Sequence, residues 1–370
     1  LYTNGIQGGI VPNALGVAFA QKLKGKSYNT IVFLGDGTLG QGVVYESMNI
    51  AAIYHIPMMF IIEDNAYAMS TRRKDAISGD IYKRISGFDI KTFEIESTDV
   101  DELTSFFKEV FDYINETGLP VCAIVHNYRL GAHSKGDDTR NPDEIAQHRA
   151  NDPVNIVKEK IGEEKTDAIY KKYIIELSRF VEELENKNVI KIDEPKILIE
   201  KEKNSFLYEG DERCIERIQK SFYEGIKNNP DIIFYGEDIK DPYGGAFKAT
   251  KGLSNVAPDQ IFNMPISEAS MVGMAVGMAM AGKIPVVEMM FGDFVTLGFD
   301  QLLNHAVKYG WVYDNVSIPM IIRTPMGGKR GYGPTHSQSL EKYLIGIPLL
   351  KVIALSMLHD PAAIYKRLFS

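Results

Sequence analysis

A short apolar stretch that ends in a glycine turn constrains the fold of this chain most. Residues 29–34 (Asn-Thr-Ile-Val-Phe-Leu) are typical of a buried parallel strand, and Gly35-Asp36-Gly37 follows directly. A segment with helical periodicity then runs from about Gln41 to His55, and its N-terminus would favour an anion at the turn. Because glycines leave backbone N–H groups accessible, a phosphate can approach closely. The pattern predicts a phosphate-binding site at this turn.

A second polar cluster follows the next predicted strand. Residues 56–62 are apolar, and Glu63-Asp64-Asn65-Ala66-Tyr67 comes after them. Parallel neighbouring strands end at the same edge of a sheet, so Asp36 and Asn65 are expected side by side. A carboxylate, an amide oxygen and a backbone carbonyl near Tyr67 suit Mg²⁺ carrying phosphate. Gly-Asp-Gly alone would indicate only a turn, but the second cluster favours a metal–diphosphate site.

Gly35-Asp36-Gly37 and Asn65 together resemble the metal–diphosphate motif of thiamine diphosphate enzymes. The flanking residues, Gly-Asp-Gly-Thr-Leu-Gly-Gln-Gly-Val-Val-Tyr-Glu and Glu-Asp-Asn-Ala-Tyr, are most similar to the decarboxylating first component of 2-oxo acid dehydrogenase complexes. The resemblance implies thiamine diphosphate and Mg²⁺ as cofactors, with Asp36, Asn65 and Tyr67 at the metal. That family usually has Glu-Asn-Asn at the second cluster, so Asp64 departs from it while Asn65 is kept.

Two further loops fit this resemblance. Gly5-Ile6-Gln7-Gly8-Gly9 precedes a predicted helix, and in the family the backbone of this loop touches the aminopyrimidine of the cofactor, which implies roles for Gly5 and Gln7. A later polar loop contains Arg129 and His133, which resemble the mobile active-site loop of the family. Arg129 offers a planar fork for phosphate oxygens, and His133 can donate to an anion or move a proton. Read alone, each loop would indicate only a solvated surface segment.

The second half resembles the pyrimidine-binding part of the same family, because Pro-Ile-Ser-Glu (265–268), Asp300-Gln301 and His336-Ser337-Gln338 occur in family order. The resemblance implies that the Glu268 carboxyl hydrogen-bonds a pyrimidine ring nitrogen, and we expect Ile266 to help bury it. The alternative is an acid favoured at a helix N-terminus by the macrodipole. His336 is expected to stabilise charge or move protons on the substrate side.

Strands and helices alternate in both halves, which predicts an α/β protein. The resemblance implies two thiamine diphosphate-binding-fold domains, each a mostly parallel sheet with helices on both faces: residues 1–186 bind diphosphate and residues 211–370 bind pyrimidine. Residues 187–210 are charged and aperiodic, so we interpret them as a linker. Many relatives have the two parts as separate subunits, so the chain resembles a fusion. Family parts are missing at both ends, so we expect a truncated piece of a longer polypeptide.

Charge and cysteine content limit the partners and the compartment. The net charge of −8 without a basic stripe argues against nucleic acid as the main partner. Cys122 and Cys214 are expected to be core thiols, which fits a reducing, cytoplasmic location.

A small-residue segment, 269–282, is too short to span a bilayer, so we predict a buried helix and no membrane partner. Gly273, Gly277 and Ala281 recur every four residues, which predicts close approach of another helix. Because family sites form between diphosphate and pyrimidine halves, we expect a homo-oligomer, most simply a dimer.

The resemblance implies oxidative decarboxylation of a 2-oxo acid with acyl transfer to the lipoyl domain of an acyltransferase component. Transketolase and 1-deoxyxylulose-5-phosphate synthase share the order of the halves and are rivals, but the Arg129–His133 loop favours the dehydrogenase. A non-catalytic module of the same fold is disfavoured by Asp36, Glu268 and His336. A nicotinamide-binding fold has weaker support, since no G-x-G-x-x-G opens a helix after a strand. Pyruvate, branched-chain acids and acetoin remain open as substrates.

Overall fold

Two four-stranded parallel sheets, one in each half of the chain, organise the computed structural model of this protein. The structure describes residues 2–26, 29–134, 136, 138–186, 207–313 and 316–369. The predicted linker 187–210 therefore lies outside the described residues except for 207–210. The backbone of Tyr208 donates to the Leu358 carbonyl, so the end of that segment pairs with the second half.

The first half alternates strands and helices as predicted. Its elements are α1 (Ile10–Leu23), β1 (Thr30–Gly35), α2 (Gly42–Ile53), β2 (Met58–Asp64), α3 (Arg73–Ala76), α4 (Ile81–Ser86), β3 (Lys91–Glu96), α5 (Val100–Thr117), β4 (Val121–His126), α6 (Pro142–Arg149), α7 (Pro153–Ile161) and α8 (Glu163–Asn186). The strand order is β1-β2-β4-β3, and every pair is parallel. The predicted neighbouring pair, β1 and β2, is confirmed.

Local chemistry sets the ends of these elements. The Asp99 side chain accepts the N–H groups of Asp101 and Glu102 and caps α5, while Gly118 ends the helix in the left-handed conformation. No prediction was made for β3 and α4. The polar residues 71–75 predict a solvated loop, but a short helix, α3, begins at Arg73.

The second half contains a sheet of order β6-β5-β7-β8, again all parallel. Its elements are α9 (Cys214–Asn228), β5 (Ile232–Gly236), α10 (Leu253–Val256), β6 (Ile261–Asn263), α11 (Glu268–Met280), β7 (Ile284–Glu288), α12 (Val307–Val312), β8 (Ile321–Arg323), α13 (Glu341–Leu344) and α14 (Pro361–Leu368). The predicted α/β class with mostly parallel sheets is confirmed in both halves.

Two predicted elements of the second half are wrong. Residues 294–309 have helical periodicity, which predicts a single helix, but the structure has a 3-10 turn (Gly292–Gly298), a π-helical turn (Gln301–Ala306) and α12. The apolar residues 349–355 predict a strand, but they form no ladder. Leu349 has a positive φ, and a cavity of ≈ 830 Å³ lies between this segment and β8. The segment and β8 therefore both line this cavity and do not form a ladder with each other.

The small-residue ridge of α11 packs against α1 of the same chain. A Cβ on Gly277 would lie 2.8 Å from the Val17 nitrogen and closer still to the Asn13 carbonyl oxygen, so only glycine fits this crossing. The predicted close approach of a helix is thus confirmed, but the approaching helix belongs to the same chain. The ridge therefore gives no argument for a dimer. No helix in the described ranges is long and apolar enough to cross a membrane.

Candidate active site

The glycine turn after β1 lies at the carboxyl edge of the first sheet. Gly35 is in register with Glu63 of β2, so the residues after both strands emerge side by side. Asp36 begins a 3-10 turn, residues 36–40, that leads into the N-terminus of α2. No atom of the described residues lies within 4 Å of a Cβ placed on Gly35 or Gly40. The turn leaves room for a ligand beside a helix N-terminus, which favours an anion.

The Asp36 carboxylate is buried and incompletely satisfied. The residue is 1% exposed, it accepts the Gly37 N–H, and its Oδ2 has no hydrogen-bond partner among the described residues. Burial, and then the negative charge of Asp64, raise the pKa of Asp36. A buried carboxylate oxygen without a partner is costly, and a hard cation would satisfy it.

Asp64, where the resembled family has Asn, is already paired. Its carboxylate lies 3.0 Å from Arg73 Nε and 3.0 Å from His126 Nδ1. Since each oxygen has a partner, Asp64 is not available as a further metal ligand. No group of three or more His, Cys, Asp or Glu side chains that could hold a metal exists in the described part of the chain. Asp36 Oδ2 is therefore the carboxylate oxygen at this edge that is buried and left without a hydrogen-bond partner among the described residues.

Asn65 and Tyr67 lie in the loop that follows β2. The Asn65 Oδ1 accepts the Tyr67 N–H at 3.1 Å, which fixes the amide at the sheet edge and leaves a second lone pair. The Tyr67 hydroxyl donates to Glu144 at 2.9 Å. Neighbouring backbone bonds use the Ala66 carbonyl and the Ala68 N–H, so this hairpin does not use the Tyr67 carbonyl. The three oxygens predicted as metal ligands thus come from two adjacent strand ends.

Arg129 and His133 lie together at the same edge. The Arg129 guanidinium donates to the carbonyls of Ala68 and Met69, both at 2.8 Å, and its Nη1 is 3.5 Å from His133 Nδ1. These bonds hold the 129–134 segment against the loop of Asn65. His133 is exposed. The phosphate contact expected of Arg129 would require at least one of its carbonyl contacts to be exchanged.

The opening segment lies between the glycine turn and the second half. The Thr38 hydroxyl donates to Gln7 Oε1 at 2.7 Å, and a Cβ on Gly9 would lie 2.6 Å from His305 Cε1. Gly5 is exposed, and a Cβ there would meet no described atom within 4 Å. Gln7 is therefore hydrogen-bonded to the glycine turn, whereas no described contact links Gly5 to that turn.

His305 is a buried residue that the sequence analysis missed. It is fully buried in the π-helical turn, and its Nδ1 lies 3.1 Å from Asn4 Nδ2 and 3.0 Å from the Tyr309 hydroxyl. Its Nε2 lies 3.6 Å from Asp300 Oδ2 and has no hydrogen-bond partner among the described residues. Burial lowers the pKa of His305. His305 contacts the Gly9 region, which is far away in the sequence, so no local sequence pattern predicts this contact.

Two acids meet at the carboxyl edge of the second sheet. Glu268 begins α11 and is 8% exposed. Ile266, expected to bury it, is 84% exposed because it precedes the helix and its packed face. Glu237 directly follows β5, and burial together with the charge of Glu268 raises the pKa of Glu237 to about 7. Glu237 Oε1 is buried without a described partner. The sequence analysis missed Glu237, although an acid after a buried strand was the signal that identified Asp36.

His336 lies beside the aromatic residues of the neighbouring turn. Its ring contacts Phe291 and Phe294 edge-on, with centroid distances of 4.7 and 5.3 Å. Its Nδ1 is 3.0 Å from the Thr335 hydroxyl. The turn that carries Phe294 continues to Gly298, where a Cβ would lie 3.5 Å from the Glu268 carbonyl oxygen. A single turn therefore connects the surroundings of His336 and Glu268.

Arg330 stands in an aromatic box next to His336. Its guanidinium carbon is 5.2 Å from the Phe247 ring centroid, 5.9 Å from Phe291 and 6.0 Å from Tyr332. One nitrogen donates to the Gly327 carbonyl at 2.7 Å, but Nε is buried without a described partner. A guanidinium that lies between aromatic rings and has one N–H without a hydrogen-bond partner is suited to bind an anionic group.

Helix α2 connects the two edges. The Ser270 N–H in the first turn of α11 donates to Glu46 Oε2 at 3.0 Å, and the Ser270 hydroxyl lies 3.0 Å from that of Ser47. No hydrogen bond or ion pair among the described residues joins Asp36 or Asn65 directly to the acids of the second sheet. The structure thus forms two half-sites, one at each edge.

Both half-sites have the chemistry that thiamine diphosphate and Mg²⁺ require. The first has an unpartnered buried carboxylate oxygen, an amide oxygen and an open glycine turn at a helix N-terminus. The second has two acids, of which Glu237 has a pKa raised to about 7, and a half-buried histidine among aromatic rings. The residues present therefore fit the metal–diphosphate group and a polar heterocycle.

The sequence profile of the dehydrogenase E1 component family matches residues 1–190, just over half of the chain. The profile described as "Transketolase, pyrimidine binding domain" matches residues 215–368. The chain is 36% identical over 165 residues to the pyruvate dehydrogenase E1 component subunit alpha of Rickettsia felis, covering 44% of this chain and 51% of that protein. It is 38% identical over 143 residues to the corresponding subunit beta of Staurastrum punctulatum, covering 38% of this chain and 43% of that protein.

The fold also resembles transketolase from Leishmania mexicana, with a TM-score of 0.64 at 16% identity over 100% of this chain and 59% of that one. At this identity the likeness concerns the fold alone. The chain spans about half the length of the curated relatives it matches. Alpha-like and beta-like parts, which are separate subunits in those relatives, occur here in one polypeptide.

Proposed function

This chain belongs to the dehydrogenase E1 component family, and from that premise we propose that it catalyses thiamine diphosphate-dependent oxidative decarboxylation of a 2-oxo acid. The acyl group would pass to the lipoyl domain of an acyltransferase component. The observation that carries this proposal is the buried, unpartnered Oδ2 of Asp36 at the same sheet edge as Asn65. A carboxylate left in this state is best explained by a cation that binds there.

The first half-site would hold Mg²⁺ and the diphosphate. Asp36, Asn65 and the Tyr67 carbonyl would bind the metal, and phosphate oxygens would complete its octahedral shell. The glycine turn and the N-terminus of α2 would face the diphosphate, with Arg129 and His133 closing over it. Gly5 and Gln7 would contact the pyrimidine side, which the Gln7–Thr38 hydrogen bond supports.

The second half-site would hold and transfer protons. When bound, thiamine diphosphate supplies a nucleophilic carbon and an electron sink for decarboxylation. The Glu268 carboxyl would exchange a proton at the pyrimidine ring. Glu237, whose own pKa is about 7, would hold a proton beside the Glu268 carboxyl at and below neutral pH. His336 would hold or move a proton on the substrate side. Arg330 would attract the substrate carboxylate.

Domain organisation, assembly and compartment are part of the same proposal. Residues 1–186 would bind diphosphate and 211–370 pyrimidine, with a linker between them. Because no hydrogen bond or ion pair among the described residues joins Asp36 or Asn65 to Glu237 or Glu268, a complete site would combine half-sites of two copies, most simply in a homodimer. Free thiols at Cys122 and Cys214 support a reducing compartment such as the cytoplasm.

The activity can be tested with 2-oxo acids and an artificial electron acceptor in place of the lipoyl domain. Pyruvate is the first acid to assay because the similar relatives are named for it, followed by branched-chain acids and acetoin. Sugar phosphates are assayed in parallel for ketol transfer. Turnover of sugar phosphates without turnover of any 2-oxo acid would refute the proposal, as would failure to bind thiamine diphosphate in the presence of Mg²⁺.

A Glu268→Gln substitution tests the proton role directly. It should lower cofactor affinity only modestly, because the metal and diphosphate contribute most of the binding. Exchange of the thiazolium C2 proton, followed by NMR after acid quench, should slow by roughly 10²–10⁴-fold. Glu341→Gln is a matched control, since Glu341 also begins a helix. If both variants exchange at the parent rate, Glu268 serves only as a helix-start residue.

A further inference from the structure

A long apolar stripe is exposed on α8, the longest helix in the described part of the chain. No residue of this helix is buried. Five apolar side chains repeat at spacings of four and three residues and are between 44% and 67% exposed: Tyr170, Ile174, Leu177, Val181 and Leu184. This is the a/d spacing of a two-helix coiled coil. An exposed stripe of this length indicates an interaction surface.

We propose that α8 pairs with α8 of a second copy of this chain in an antiparallel coiled coil. The inference concerns assembly and does not depend on the proposed catalytic activity. Charge complementarity identifies the partner as a second copy and determines the helix direction.

The charged residues that flank the stripe complement themselves only when two copies run antiparallel. With Tyr170, Leu177 and Leu184 at d and Ile174 and Val181 at a, the e positions hold Lys171, Ser178 and Glu185. In an antiparallel pair, e positions face e positions. Lys171 then lies opposite the partner subunit's Glu185, Glu185 opposite the partner subunit's Lys171, and Ser178 opposite its own copy.

The same alignment forms compatible core layers. Ile174 would pack on the partner subunit's Leu184, and Leu177 on the partner subunit's Val181, with each layer repeated across the two-fold axis. On the other flank Phe180, which is 56% exposed, would lie near its own copy. Aliphatic and aromatic side chains would therefore be covered together.

A parallel pair lacks this complementarity. In that arrangement g positions face the e positions of the following heptad, so Phe180 would face Glu185 and Tyr173 would face Ser178. No opposite charges would meet. Lys172, Arg179 and Glu182 occupy outward positions in either arrangement and would stay in water.

Cysteine cross-linking tests the arrangement. In a Cys214→Ser background, Ser178→Cys should form a covalent dimer with a short bis-maleimide, because residue 178 faces its own copy. Arg179→Cys is the matched control, since the neighbouring outward position should remain monomeric under the same treatment. Cys122 is fully buried and should not react.

Charge reversal tests the register independently. Lys171→Glu and Glu185→Lys should each weaken association by roughly tenfold in sedimentation experiments, and the double variant should restore it, because each single change makes two facing pairs repulsive. Leu177→Glu should also weaken association, by removing two core layers. Circular dichroism confirms that each variant keeps its helices. Equal cross-linking of Ser178→Cys and Arg179→Cys, no cross-linking of either, or failure of the double variant to restore association would overturn the proposal.

Discussion

Replacement of Glu237 by Gln should stabilise the protein without cofactor at alkaline pH and leave its stability at acid pH nearly unchanged. Glu237 Oε1 is buried without a described partner, and burial together with the charges of Glu268 and Asp238 raises the pKa of Glu237 from 4.5 to about 7. The folded state therefore binds the proton more tightly than the unfolded state. Stability falls as pH rises from 4.5 through 7, because folding then forces a carboxylate into this environment.

The size of the effect follows from this pKa difference. The full difference between 4.5 and about 7 corresponds to about 3 kcal/mol of unfolding free energy. Solvent reaches part of the Glu237 side chain and screens the charge, so we expect about 1–2 kcal/mol. For a domain of the size of the second half, each kcal/mol corresponds to about 2–4 °C in Tm. Gln resembles the protonated acid and should remove most of this loss.

Thermal unfolding of the parent and Glu237→Gln at pH 5 and pH 8.5 measures the difference. Glu224→Gln is the matched control, since Glu224 is exposed and is not among the charges that raise the pKa of Glu237. In a Glu268→Gln background the gain from Glu237→Gln should shrink, because one cause of the raised pKa is gone. If the parent and Glu237→Gln lose equal stability between the two pH values, the assignment of a strained acid at this position is wrong.

Three further predictions follow from single residues. Asp36→Asn should abolish Mg²⁺-dependent binding of thiamine diphosphate in isothermal titration while raising the Tm of the cofactor-free protein, because a costly buried charge is removed; unchanged affinity would place the metal elsewhere. Gly277→Ala should cost about 2–4 kcal/mol of unfolding free energy, since its Cβ would overlap the α1 backbone; Gly310→Ala is the control, with only ordinary contact at 3.5 Å. Arg330→Gln should raise KM for the 2-oxo acid about tenfold or more with a smaller change in kcat; an unchanged KM would limit Arg330 to a packing role.

The first half-site was predictable because its signals are local. Apolar strands ending in Gly35-Asp36 and in Asp64-Asn65 specify their own secondary structure, and the parallel rule brings their ends together. The pairing of Asp64 with Arg73 was not predictable in the same way. It depends on a short helix within a polar stretch, where periodicity carries no information.

The errors in the second half have a common cause. The segment 294–309 has helical periodicity, but Gly298 packs directly on Val272 of α11. The backbone forms a 3-10 turn up to that contact and a π-helical turn after it. Leu349–Leu355 has the composition of a strand, yet pairing depends on the distance to β8, which composition does not determine. Tertiary packing overrides propensity in both segments.

The two sheets repeat one arrangement that explains both half-sites. In each half, a parallel strand ends in glycine followed by an acid: Gly35-Asp36 after the edge strand β1, and Gly236-Glu237 after the buried strand β5. Each acid has one buried oxygen without a described partner, and in each case burial raises the pKa. Only at Gly236 does the missing side chain allow close packing beside the acid, since a Cβ there would lie 3.0 Å from Glu288 Cβ, whereas a Cβ on Gly35 would meet no described atom within 4 Å.

This repetition explains how bound cofactor and cation could stabilise the folded protein. Two unsatisfied carboxylates oppose folding of the empty protein, and they do so at the strand ends where ligands of parallel α/β sheets bind. A cation at Asp36 and a proton-sharing heterocycle near Glu237 and Glu268 would each remove one of these costs. Ligand binding and stability should therefore be coupled, so that thiamine diphosphate with Mg²⁺ raises the Tm of the parent more than that of Asp36→Asn.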